Sequence, residues 1–292
     1  MSRVLLRATL AALALTAAAS AYAPFGVAQG SPERSRGAQW ERQGWGWGGR
    51  VRPRLPTAES YDGGFTYCRG MYTSGRRDGS GNGWTTDYPD ADVNFSIRFS
   101  ELTKVTISKT AEGEPNHLVV PLSHPYLFQC PFLMMTDVGE ILFSSEEADL
   151  LRQYLEKGGF VWVDDFWGSW SWDAWEREIA KVLPPGQFPI VDVPTSHPIF
   201  RTLFEVPALP QIPSINSWRG MDGGTSELGE DSAEPHLRAI HDRHGRMLVL
   251  MTHNTDISDA WEREAADPRY FYEFSPNGYA VGLNIVLYAM TH

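Results

Sequence analysis

Cysteine is nearly absent: Cys68 and Cys130 are the only two in 292 residues. Neither belongs to a Cys-x-x-Cys pair, which argues against a thioredoxin-like redox centre or a cysteine-rich zinc site. Cys68 falls within an expected strand and Cys130 precedes a proline. Neither therefore sits at the strand-to-helix elbow where a catalytic thiol is activated. Also missing are a Gly-x-Ser-x-Gly elbow, a His-Glu-x-x-His helix and a phosphate-binding glycine loop. Long apolar runs are lacking too. Beyond residue 23, Gly, Pro, Asp or Arg interrupts every one, so no later segment is expected to cross a bilayer.

Basic charge is confined to the start of the chain. Residues 1–60 carry eight Arg and three Glu, a net of +5, so the remainder carries −16 to give the total of −11. An acidic body argues against nucleic acid as a partner, because phosphates reward Lys and Arg. With 12% aromatic and 42% hydrophobic residues, the composition is that of a globular protein.

Residues 1–23 have the three parts of a secretory signal peptide: Arg3 and Arg7, an apolar run from Ala8 to Ala19, and small residues after it. Ala19-Ser20-Ala21, Ala21-Tyr22-Ala23 and Gly26-Val27-Ala28 are three options for cleavage. Residues 24–60 read as a flexible linker rich in Gly, Arg and Trp, with Trp40, Trp45 and Trp47 close together. Residues 61–292 read as a single α/β domain. Export would permit a Cys68–Cys130 disulfide, and two buried thiols fit equally well.

Strand-like and helix-like segments alternate through that domain. Strands are expected at Phe65 to Tyr72, Lys104 to Ser108, Leu118 to Pro121, Phe160 to Val163, Ile190 to Val193 and Met247 to Thr252, with a longer apolar run from Phe128 to Met135. Helices are expected at Val93 to Leu102, after the Ser144/Glu147 capping box, along Trp172 to Leu183, and from Tyr279 to Met290. Such alternation predicts a mainly parallel sheet, whose sites lie at the carboxyl ends of the strands.

Three segments meet that rule. Asp164-Asp165-Phe166-Trp167-Gly168 offers paired carboxylates for cation binding, acid–base work or sugar hydroxyls, with Trp167, Trp170 and Trp172 nearby for stacking. Helix capping and core packing account for the same residues. Asn254 and Asp256 follow another strand, and turn chemistry explains them as well. In the third segment, Asp90, Asp92, Asn94 and Glu101 have calcium-loop spacing, but Phe95 stands where that loop needs glycine. His197, in a Ser-His-Pro triplet, could reach the first site or serve as a structural histidine. No metal or cofactor is expected.

Phe65 to Gly70, Trp84 to Pro89, Glu101 to Thr103, Pro131 to Met135, Asp164 to Gly168, His197 to Phe200, Asn254 to Asp256 and Ser275 to Tyr279 together resemble a bacterial family known only as domain of unknown function 4159. The resemblance runs over about residues 63 to 290. It implies a class I glutamine amidotransferase-like fold, which is a flavodoxin-like three-layer α/β/α sandwich, in uncharacterised exported proteins. Amidotransferases carry a cysteine at the elbow after the central strand; here Asp164 and Asp165 stand there, so glutamine hydrolysis does not carry over. The binding candidates are Arg69, Asp87, Asp164, Asp165, Trp167, His197, Asn254 and Asp256.

The function expected from these features is a non-catalytic binding or assembly module of the cell envelope, periplasmic or extracellular, with a glycan or other envelope component as partner. The alternative is a hydrolase acting on carbohydrate or cell-wall material through the aspartates. Convergence of Asp164, Asp165 and Asp256 with His197 in an open pocket would favour the enzyme.

Overall fold

Among the described residues, six of the seven strands run in one direction, and four of them carry the same pattern: an apolar residue, then a polar one two positions on. The pairs are Tyr67 and Arg69, Met134 and Thr136, Trp162 and Asp164, Leu250 and Thr252. Side chains alternate across a strand, so these polar groups share one face of the sheet near its carboxyl edge. They come from a computed structural model that describes residues 52–75, 83–221 and 223–292. The expected signal peptide and residues 24–51 lie outside the described residues. Residues 52–60 run beside the sheet, where the Arg54 carbonyl accepts from Val119 N.

The strands are β1 (Tyr67–Met71), β2 (His117–Pro121), β3 (Leu133–Thr136), β4 (Val161–Asp164), β5 (Ile190–Asp192), β6 (His236–His241) and β7 (Met247–His253). Their order is β2-β1-β3-β4-β7-β6-β5. β2, β1, β3, β4 and β7 pair parallel; β6 pairs antiparallel to β7, and β5 antiparallel to β6, so that β6 alone opposes the rest. The fold is therefore α/β with a mainly parallel sheet, as expected.

The helices are α1 (Asp90–Thr103), α2 (Ser145–Glu156), α3 (Gly168–Val182), α4 (Ile215–Gly220), α5 (Asp259–Glu262) and α6 (Pro268–Thr291). One apolar cluster joins Tyr67, Met134, Trp162 and Leu250 to Phe95 and Phe99 of α1, Trp261 of α5 and Leu283 of α6. A second joins Cys68, Met135, Val161 and Val163 to Leu151 of α2 and Trp175 of α3. Neighbouring residues of each strand thus feed separate cores. The Ser144–Glu147 capping box forms as expected, with Ser144 Oγ accepting from Glu147 N and Glu147 Oε2 from Ser144 N.

Three local expectations change. Lys104 to Ser108 is not a strand: Lys104, at φ 65°, closes α1, and only an isolated Phe65–Ile107 bridge follows. The run from Phe128 to Met135 is divided, because a 3-10 turn (Pro125–Gln129) and Cys130 precede a β3 of four residues. The last helix starts at Pro268, where Asp267 accepts from Arg269 N, and continues through Pro276. β6 has no counterpart in the sequence reading.

Cys68 and Cys130 form a disulfide with 6.0 Å between their Cα atoms. It joins β1 to the segment entering β3 and lies in the core on the α2/α3 side. Among the described residues, no helix is long and apolar enough to cross a membrane.

Candidate functional site

The strand order reverses at β1: the chain passes from β1 to β2 on one side, while β3 lies on the other. This is where an open α/β sheet ordinarily leaves a crevice. Arg69 fills it here. Its guanidinium meets Asp92 of α1 at 2.5 Å, and its Nη1 donates to Thr136 Oγ1 at 2.8 Å and the Thr86 carbonyl at 2.8 Å. Both side chains of the ion pair are wholly buried. Arg69 is thus a strut between sheet and helix, and Asp92 has a structural partner.

The carboxylates gather one step along the rim, over β4 and β7. Ser258 Oγ lies 2.7 Å from Asp87 Oδ2, 3.1 Å from Asp164 Oδ2 and 3.2 Å from Asp256 Oδ1. A serine hydroxyl has one proton and two lone pairs. It can donate to only one of these acids, and the others face its lone pairs. Asp164 also accepts from Thr252 Oγ1 at 2.5 Å and from Ser258 N at 2.9 Å. Asp259 accepts from Ile215 N and the Tyr270 hydroxyl, each at 2.8 Å. One carboxylate oxygen from each of Asp87, Asp256 and Asp259 lies within 4.8 Å of the others.

Burial without matching positive charge favours the protonated acids. Burial pushes the Asp87 carboxyl up to about 7, with Asp259 adding to it. It pushes Asp164 up to about 6 against the pull of the Thr252 and Ser258 hydrogen bonds. Asp165 and Asp256 lie well above the usual carboxylate range, by burial first and then by neighbouring aspartates. Asp259 is raised by burial, and Glu262 rises to about 8 by burial and then by Asp87. Arg263 pairs with Glu262 and Asp259 at the margin of this group.

The rim is backbone-strained as well as acidic. Asp87, Asp137, Asp165 and Asn254 take φ of 63°, 52°, 54° and 60°, a left-handed region in which Asp and Asn are the most tolerant residues after glycine. Asp165 occupies the elbow between β4 and α3, half-buried, accepting from Trp167 Nε1 at 3.0 Å. The amides at the head of α3 are already occupied. Gly168 N donates to Asn254 Oδ1 at 2.8 Å, and Ser169 N to Asp231 Oδ2 at 3.0 Å.

The structure therefore brings Asp87, Asp164, Asp165 and Asp256 together, with Asn254 and Trp167 beside them as scaffolding. His197 lies elsewhere: its Nδ1 accepts from Ile199 N, and its ring packs on Tyr288. The tryptophans offer little platform. Trp167 is buried, and Trp172 packs on Phe166 and His253 beneath Arg238. Trp170 is the exposed one, at 51%.

Sequence reasoning missed Ser258, Asp259 and Tyr67, and it expected no metal where three carboxylates now converge. Ser258 and Asp87 are 171 positions apart, so no local motif could join them. A usable signal was the polar residue two positions beyond an apolar one near the end of each central strand.

No curated protein matches the chain. The family model described as Domain of unknown function (DUF4159) matches residues 74–290. These are the residues that build the sheet from β2 onward and every carboxylate of the rim. The chain belongs to the DUF4159 family.

Proposed function

We propose that this chain is an exported binding or assembly module of the cell envelope, periplasmic or extracellular. In this reading the domain is a flavodoxin-like three-layer sandwich similar to class I glutamine amidotransferase domains, without their chemistry. The elbow after β4 carries the argument: it presents Asp165, not a thiol, and the amides that would serve as an oxyanion hole are bound to Asn254 and Asp231. Both cysteines are joined to each other in the core on the α2/α3 side, leaving no free thiol for the elbow. The disulfide also favours an oxidising compartment, and the parallel strand order with helices on both faces supports the sandwich.

The test is a thermal-shift screen of the secreted form against glycans and peptidoglycan fragments, beside a glutaminase assay and cell fractionation. A ligand that binds the native state raises the melting temperature. Glutamine turnover, or a wholly cytosolic chain with reduced cysteines, would overturn the reading. A hydrolase remains the second reading, favoured by the half-buried, strained Asp165 beside Asp87 and Asp137. Fragment hydrolysis abolished by Asp165→Asn would put it first.

A further inference from the structure

We propose that Asp87, Asp256 and Asp259 bind a hard divalent cation, calcium by preference, at the carboxyl rim above β4 and β7. The site does not rest on the envelope reading, since a chain that binds no glycan can still bind calcium.

Geometry is the first support. Calcium takes oxygen ligands at about 2.4 Å, so two of them can stand at most roughly 4.8 Å apart. The three carboxylate oxygens satisfy that limit. They come from two separate stretches of chain, Asp87 before α1 and Asp256 and Asp259 around the start of α5, which a shared ion would tie together. The ligands are 8%, 2% and 4% exposed. Magnesium keeps several waters and tends to use one or two carboxylates, so a buried triple-carboxylate set suits calcium better.

The second support is independent of the acids. The Tyr67 hydroxyl, on a side chain 1% exposed, has no hydrogen-bond partner. Its ring is held by Phe95 and Phe132, and the carboxylates acting on its hydroxyl are Asp92, Asp164 and Asp87. Of these, Asp87 is one of the three ligands and Asp164 shares the Ser258 hydroxyl with two of them. A buried hydroxyl left unpaired there costs about 1–3 kcal/mol, and a water on the cation would pair it. Charge points the same way: Arg69 is committed to Asp92 and Arg263 lies at the margin, while Asp87, Asp164 and Asp256 converge on the one Ser258 hydroxyl with no cationic side chain between them.

The experiment uses the full secreted chain, stripped with a chelator and held at pH 8, where protons compete least. Calcium, magnesium and manganese chlorides are titrated by calorimetry and by melting temperature. The expected result is one calcium per chain, with a melting-temperature rise of roughly 5–10 °C at a concentration about 100-fold above Kd. Terbium in place of calcium should give emission sensitised by Tyr67 and Trp261, quenched as calcium displaces it. Asp256→Asn should abolish the response, since an amide oxygen is a far weaker ligand for calcium; Asp87→Asn serves if that variant does not fold. Asp192→Asn, on a side chain 82% exposed in β5, should leave the response intact. No saturable binding by the wild type up to about 10 mM, an order above the affinity range of weak extracellular calcium modules, overturns the proposal. So does an undiminished response in the Asp256 or Asp87 variant.

Discussion

Arg69 and Asp92 meet at 2.5 Å with neither side chain exposed. The pair locks β1 to α1 where the sheet would otherwise open a crevice. Removing one partner of such a pair strands the other charge in a low-dielectric interior. Asp92→Asn should therefore cost about 3–5 kcal/mol of stability, measured by urea unfolding. A loss below about 1 kcal/mol, typical of a surface pair, would contradict this account of the strut.

The disulfide closes a loop between residues separated by 62 positions. On the chain-entropy model, opening it should cost about 4 kcal/mol. Reduction, or a Cys68→Ala/Cys130→Ala double variant, should lower the melting temperature by roughly 8–16 °C at about 2–4 °C per kcal/mol. An unchanged melting temperature would mean that the native packing holds these segments without the bond.

Stability of the metal-free protein should fall between pH 6.5 and 8. Asp87 and Glu262 are raised to about 7 and about 8 from 3.8 and 4.5. The folded state then binds more protons than the unfolded state across that window. Their contribution is complete below about pH 4 and is lost as pH rises through the folded values. His253 runs the other way, lowered by burial to about 4 from 6.5. Its contribution is complete above pH 6.5 and is lost as pH falls toward 4, so it is constant in the window chosen. Melting curves in chelator at pH 6.5, 7.2 and 8 check the sign; a rise would refute the charge assignment. Calcium should flatten the curve, since it replaces the lost protons.

Asn254 holds the rim loop by accepting from Gly168 N and donating to the Glu234 carbonyl. Asn254→Ala leaves both groups short of a partner and puts a less tolerant residue at φ 60°. A cost of about 2–4 kcal/mol is expected from the lost bonds and the left-handed backbone together. Asn254→Gly should recover the conformational part, about 1 kcal/mol. Equal losses in the two variants would show that backbone strain plays no part.

Ser144 and Glu147, the apolar run from Phe160 to Val163, and the alternation of strand and helix carried the fold class in local sequence. Capping and periodicity act over a few residues, so they survive without tertiary context. The sequence by itself also ruled out elbow-thiol chemistry, because neither cysteine stands after the central strand. It marked Asp164, Asp165 and Asp256 as strand-end acids. Tertiary structure decided the rest. β6 and the antiparallel edge depend on pairing with β7, which no local period encodes. The choice between two thiols and one disulfide depended on bringing positions 68 and 130 to 6.0 Å. His197, which could have reached the first site, packs against Tyr288 instead. Asp87, a candidate in the sequence, and Asp259, which was not one, came within reach of Asp256 only when the fold buried them together. Burial is a property of the assembled chain, and burial is what turns ordinary carboxylates into a charge that must be answered.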